Sequence, residues 1–286
     1  MGVPRFFASY QQVVDAELAR LVPDGGTPVQ RSMAYTLLAP SKRVRPVLTL
    51  LCAELGGGRQ DRALPAAAAV EMVHAASLIL DDLPSMDDAP LRRGRPSNHK
   101  AFGEAIAILA AFALLNDAYV TLARAYEPGL ASRVTALLAD SVGVDGLVGG
   151  QADDLLATDQ QIDFEMLERI HRGKTGALFV AAASAGALTG GAPADAIPAL
   201  EAYAKNLGLA FQIIDDLLDV EGDPAQTGKA VRSDARKTTF VSFSGVEGAR
   251  MLARELCDTA DRALQPFGRK ADRLRELSAF VADRSV

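Results

Sequence analysis

The 286-residue chain is predicted to be all-α: one domain, spanning 1–286, of ten or more helices around a deep central cavity. Three observations carry this. Nearly every long segment repeats its apolar residues with a 3.6-residue period. Breakers fall between those segments, as "PDGGTP" at 23–28, "GGGRQD" at 56–61 and "TGGAP" at 189–193. Alanine is abundant and Trp absent, which suits closely packed helices.

In chain order the expected helices cover about 5–21, 29–39, 43–56, 63–83, 99–125, 130–143, 145–157, 161–172, 174–189, 194–220, 244–265 and 268–284. The nearest approach to a strand is the short run "TTFVSF" at 238–243. No fixed-period repeat or linker divides the chain. Segments 63–80 and 174–188 are apolar on more than one face, as helices surrounded by other helices are. Buried central helices of this kind can enclose an apolar cavity.

Composition narrows the function. Hydrophobic residues make up 49% and charged residues 23%, enough for a sizeable core. The net charge of −6 argues against nucleic-acid binding through bulk charge, so an anionic ligand needs local cations or metal. Cys52 and Cys257 are far apart and form neither a disulfide framework nor a zinc pattern, which points to a reducing cytoplasm. No membrane span is expected: the longest apolar run, Ala105 to Leu115, is eleven residues against the ~20 a bilayer needs. The start, "MGVPRFFASY", lacks the apolar middle of a signal peptide.

Two acidic clusters stand out. Asp81, Asp82, Asp87 and Asp88 close an apolar helix, and Arg92, Arg93 and Arg95 follow. His74, Ser77 and Asp81 form one stripe on that helix, which should end at Leu83, before Pro84. Asp87 is then expected to return from the loop. In the second cluster Asp215 and Asp219 share a helical face, Gln212 lies one turn before them, and Asp216 is rotated ~100° away. One such cluster reads most simply as a solvated helix end. Two of them, each followed by basic residues, point to Mg²⁺ bridging carboxylates to phosphate, because carboxylates alone would repel that anion.

These motifs resemble the head-to-tail trans-isoprenyl diphosphate synthases, most of all the geranylgeranyl diphosphate synthases of bacterial carotenoid pathways. The match runs nearly the whole chain, through "SKRVRP" (41–46), "DDLPSMD" (81–87), "LRRGRPSNH" (91–99), "GGQADDL" (149–155), "GKTGALF" (173–179), "FQIIDDLLD" (211–219) and "GKAVRSDARKTT" (228–239). The resemblance implies a homodimer and about three Mg²⁺ ions. Asp81, Asp82, Asp87 and Asp215 would be metal ligands, supported by Asp216 and Asp219. Arg92, Lys174 and Lys229 would grip an allylic diphosphate (dimethylallyl, geranyl or farnesyl), with Thr175 and Gln212 lining its site. Lys42, Arg45, His74 and Arg93 would hold isopentenyl diphosphate. The allylic group would ionise in the apolar cavity, isopentenyl diphosphate would attack it, and the departed diphosphate would take the proton.

In such enzymes a bulky aromatic five residues before the first Asp stops growth at fifteen carbons. Here that position is Ala76, followed by Ser77 and ~7.5 Å below Asp81, so the expected product has twenty carbons. Phe112 is expected to form part of the deeper floor. The chain departs from the family at Ser41, where Gly is usual, and at Ala111-Phe112, where Gly-Asp is frequent. The spacing from Asp234 to Lys237 is also short.

Other residues have plainer readings. His99 and His171 are expected at the surface or as caps, and Asp88 as a loop acid. Asp154 is either part of a solvated helix face or a supporting group. The rival functions are a farnesyl diphosphate synthase, a terpene cyclase and a non-catalytic partner subunit. A cyclase fits less well because the second cluster is Asp-Asp-Leu-Leu-Asp and basic residues suited to isopentenyl diphosphate are present.

Overall fold

The computed structural model describes residues 4–221 and 237–283. Among the described residues, helices α1 (Arg5–Leu21), α2 (Pro28–Leu37), α3 (Val44–Leu55), α4 (Gln60–Asp81), α5 (Asn98–Phe102), α6 (Glu104–Ala125) and α7 (Pro128–Val142) form the first half. Helices α8 (Leu147–Ala157), α9 (Phe164–His171), α10 (Ala177–Gly190), α11 (Ile197–Glu221), α12 (Phe240–Ala263) and α13 (Asp272–Ala282) form the second. The expected all-α architecture is therefore present. The strands are two residues each, Leu91–Arg92 paired antiparallel with Arg95–Pro96.

Local chemistry explains where helices begin and break. Thr27 and Thr239 each close a capping box, with Gln30 and Ser242 respectively. The Thr239 box turns "TTFVSF" into the start of α12 rather than a strand. The helix expected over 99–125 is split at Gly103, whose φ of 84° ends α5 and begins α6.

Helix α4 packs against α1, α2, α3, α6, α7 and α10, which accounts for its lack of a polar face. Small residues let the central helices approach. A Cβ on Gly186 of α10 would lie 2.1 Å from the Thr49 carbonyl oxygen of α3, so only glycine permits that contact.

Helices α4 and α6 are each long and apolar enough to cross a membrane by length and composition. This modifies the reading from apolar runs, which broke off at Asn116 although α6 continues to Ala125. Two-thirds (67%) of the α4 span is buried inside the fold, as befits a core helix, against 33% for α6. Helix α6 places Ala107, Ala110, Ala111, Leu114 and Ala118 inward. Its outer face carries Leu109 and Phe112, 53% and 70% exposed. Phe112 therefore does not form a pocket floor within this chain: Ala111 faces the core, and the next residue turns ~100° outward.

Candidate active site

The site is assembled first around the turn between α2 and α3. Arg43 takes a left-handed conformation (φ 50°) there, so the strained position is two residues beyond Ser41. Its buried guanidinium donates to Asp15 (2.8 Å), Glu71 (2.7 Å) and the carbonyls of Leu37 (2.8 Å) and Ala39 (3.2 Å). This pins the turn against α4, leaving Lys42 exposed and Arg45 buried.

The Arg45 guanidinium lies 4.6 Å from the Phe179 ring centre and 5.9 Å from that of Phe211. Burial lowers its pKa to about 10, against the pull of Glu71 and Asp215, so it stays charged at neutral pH. Its Nη1 is 3.4 Å from His74 Nε2. Burial, followed by Arg45 and Arg93, pushes His74 well below its usual range, so the ring is neutral. A guanidinium can only donate, so Nε2 accepts and the ring proton is on Nδ1.

The first acidic cluster grows from the end of α4, which stops at Asp81, two residues short of the expected Leu83. The following loop folds back onto the open helix carbonyls. Asp87 N–H donates to Asp81 O at 3.0 Å and Ala89 N–H to Asp82 O at 3.2 Å, so Asp87 does return to Asp81. Arg93 and Gly94 then have φ of 54° and 73°, the two positive values of a tight type I′ hairpin turn. That hairpin, unforeseen in the sequence, carries Arg92 back to Asp82. Arg92 Nε donates to Asp82 Oδ1 at 3.0 Å, and its Nη2 meets the same oxygen. A shallow hollow opens beside Arg92 and Arg93, walled by Tyr35, Leu78 and Pro96.

The second cluster lies on α11. Thr175 Oγ1 donates to Gln212 Oε1 (2.9 Å), and Gln212 Nε2 donates to Asp216 Oδ1 (2.9 Å). Asp216 Oδ2 accepts from Phe240 N–H at 3.1 Å. Asp216 is buried with both oxygens engaged. Its ~100° rotation from Asp215 turns it toward the start of α12, and these bonds hold it beside the first carboxylate of the cluster. Asp215 and Asp219, one turn apart, are partly exposed.

A wide π-type turn, Arg172–Gly176, joins the two clusters. Burial pushes the Asp81 carboxyl upward, and Lys174 is the cation that most strongly opposes this. The adjacent Thr175 holds Gln212, three residues before Asp215. Helix α8 supports this turn because Gly150 lacks a side chain: a Cβ there would be 2.1 Å from Lys174 N. Asp154, one turn later on the same face, accepts from Lys174 Nζ at 2.7 Å and from Lys237 Nζ at 2.9 Å. Lys237 Nζ also donates to Asp87 Oδ1 at 2.9 Å. Asp154 is thus a supporting group, and its carboxyl lies below the usual range, burial being outweighed by Lys174 and Lys237.

Lys229, Asp234 and Arg236 lie outside the described residues. Two histidine expectations are corrected. His99 is buried, with Nδ1 3.1 Å from Ser97 Oγ. His171 stacks on Phe240, ring centres 5.2 Å apart. Asp88 is an exposed loop acid, as expected, 3.4 Å from Lys100. The sequence reading did not single out Arg43 or Glu71, and named Lys237 only as the end of a short spacing, with no role. The motif's central arginine was a signal for the first, and the lysine before the Thr239 cap for the last.

The polyprenyl synthetase family is matched over residues 27–262. The chain belongs to that family. It is 41% identical to the geranylgeranyl diphosphate synthase of Cyanophora paradoxa, covering 96% of this chain and 94% of that one. It is 40% identical to the farnesyl diphosphate synthase of Geobacillus stearothermophilus, over 99% and 98%. Among solved structures, an apo FPP/GFPP synthase from Zymomonas mobilis superimposes with a TM-score of 0.85 at 36% identity, over 96% and 98%. The polyprenyl synthetase match also places both aspartate clusters and the 172–176 turn within the shared region.

The hard carboxylate oxygens of Asp81, Asp82, Asp87 and Asp215 suit Mg²⁺ by donor chemistry. Among the described residues no three acidic, His or Cys side chains converge closely enough to hold an ion. Two of the first cluster's carboxylates instead face cations, Asp82 toward Arg92 and Asp87 toward Lys237.

Proposed function

We propose that this polyprenyl synthetase is a head-to-tail trans-prenyltransferase that extends allylic diphosphates with isopentenyl diphosphate to geranylgeranyl diphosphate. The observation that carries it is the placement of adjacent residues Lys174 and Thr175, one beside Asp81 and the other bonded to Gln212 of the second cluster. Two anionic clusters flanking basic groups and an apolar interior suit departure of a diphosphate and protection of a carbocation.

Asp81, Asp82, Asp87 and Asp215 would hold Mg²⁺, about three ions with diphosphate bound, and Asp219 would support them. Bound Mg²⁺ would neutralise the leaving diphosphate. Lys174 and Arg92 hold that diphosphate, together with Lys229. Arg45, Lys42, Arg93 and His74 bind the isopentenyl partner, and neutral His74 offers it a hydrogen bond without competing for its charge. The alanines of α4 and α6 leave room for a growing tail and exclude water from the cation.

Relatives are named for farnesyl and for geranylgeranyl products, so product length rests on this chain's own residues. Ala76 is small and buried, which favours twenty carbons. The alternative, a fifteen-carbon product, is favoured by the farnesyl-named relatives. The outward stripe of Ala105, Leu109 and Phe112 suits a homodimer, since apolar patches on a helix favour burial. Two buried free cysteines fit a cytoplasmic setting. A bacterial carotenoid pathway is a further expectation, resting on the sequence motifs.

The test is to incubate the purified chain with isopentenyl diphosphate, Mg²⁺ and each allylic primer in turn, and to identify the prenyl products. Geranylgeranyl diphosphate is expected. Absence of any condensation product would overturn the reading, and a sole fifteen-carbon product would favour the alternative.

A further inference from the structure

Lys237 and the backbone that follows it touch both acidic clusters. Its Nζ reaches Asp87 Oδ1 in the loop after α4 and Asp154 Oδ2 on α8, both at 2.9 Å. Three residues on, Phe240 N–H is bonded to Asp216 of the second cluster. Thr239 caps the helix between these two contacts. The short stretch 237–240 therefore contacts residues of both clusters.

The ammonium is largely shielded: its side chain is 19% exposed, with Asp154 at 10% and Asp87 at 30%. Burial disfavours its charge, but Asp154 and Asp87 outweigh that and raise its pKa above the ordinary lysine value. Asp154 Oδ2 also accepts from Lys174, so two lysines and two carboxylates form one partly buried, charge-balanced group. A divalent cation arriving at Asp87 would upset this balance and repel the nearest ammonium, which is that of Lys237.

We infer that Lys237 is an internal counter-ion which holds Asp87 when no divalent cation is bound and competes with divalent cation for it. This rests on the reading of Asp87 as a metal ligand, and it goes further by giving the ligand a resident competitor. The exchange is a change of ionic partner and makes or breaks no covalent bond.

The test uses the full-length protein and Mn²⁺ as a spectroscopic probe, with free ion counted by electron paramagnetic resonance. K237M is expected to bind Mn²⁺ about tenfold more tightly than wild type without pyrophosphate, because the competing charge is gone. K237R, which keeps the charge, should resemble wild type. K100M removes a cation that lies against Asp88, one residue away, and should shift Mn²⁺ affinity far less. If K237M does not fold, K237Q carries the same expectation.

Equal or weaker Mn²⁺ binding by K237M without pyrophosphate overturns the inference, as does a K100M effect of the same size. Both outcomes leave the metal-site reading intact. If wild type binds no Mn²⁺ even with pyrophosphate, the inference and the metal-site reading fail together.

Discussion

Arg43 and Glu71 form a 2.7 Å ion pair whose side chains are 2% and 3% exposed. It joins the turn before α3 to the middle of α4. Removing one member leaves a buried charge without its main partner. E71A should therefore cost about 3–5 kcal/mol in urea unfolding. A loss under about 1 kcal/mol, the range of an exposed pair, would show that the clamp is not structural.

The aspartates make the sharpest functional prediction. D81N and D215N should retain wild-type circular dichroism and lose on the order of 10²–10³ in kcat. Chelation with EDTA should abolish product formation, and Mg²⁺ should restore it. Near-wild-type turnover in D215N would exclude Asp215 as a participant.

Product length tests the interior of α4. Ala76 is buried, and a Tyr there would project a ring into the path proposed for the tail. A76Y should move the main product from twenty to fifteen carbons, read by chromatography of the dephosphorylated alcohols. An unchanged profile from a folded A76Y would place the tail elsewhere.

His171 provides a pH signature. Burial, with Lys174 and Lys237 adding to it against Asp154, lowers its pKa from 6.5 to about 4. Above pH 6.5 the ring is neutral in both folded and unfolded chains, so its contribution is constant. Between pH 6.5 and about 4 the unfolded chain takes up a proton that the fold refuses, so stability falls as pH falls. His74 adds a slope of the same sign. H171F, which keeps a ring against Phe240, should flatten this part of a melting-temperature profile. An unaltered slope would mean that His171 is protonated in the fold.

The outer face of α6 bears on assembly. F112E combined with L109E should shift the chain from dimer to monomer in sedimentation analysis. A wild type that is already monomeric would refute the proposed interface.

Much of this was legible in the residue order. Helices such as α1 and α8 end within two residues of where periodicity and breakers put them, because an amphipathic repeat reports its own length. The return of Asp87 to Asp81 was also foreseeable, since Pro84 ends the helix and the loop is short. The type I′ hairpin at Arg93-Gly94 was hidden because arginine is an unusual residue for a positive φ. Phe112 was misplaced because the direction of a residue on an apolar helix depends on which neighbours cover it, and periodicity does not disclose that when both faces are greasy. The partner of Asp216 was hidden for a related reason: its backbone donor, Phe240 N–H, comes from a distant part of the chain. A role for Lys237 was hidden for the same cause, as its partners Asp87 and Asp154 meet only in three dimensions.

Gly186 on α10 lies almost in van der Waals overlap with the α3 backbone, and that tightness limits how a descendant of this protein could change. The α3–α10 seam has no slack to give, since even one methyl group would wedge the helices apart. On the tail path proposed above, engineered lengthening of the product is better sought in the alanine-rich seam between α4 and α6, where single side chains can be trimmed or enlarged.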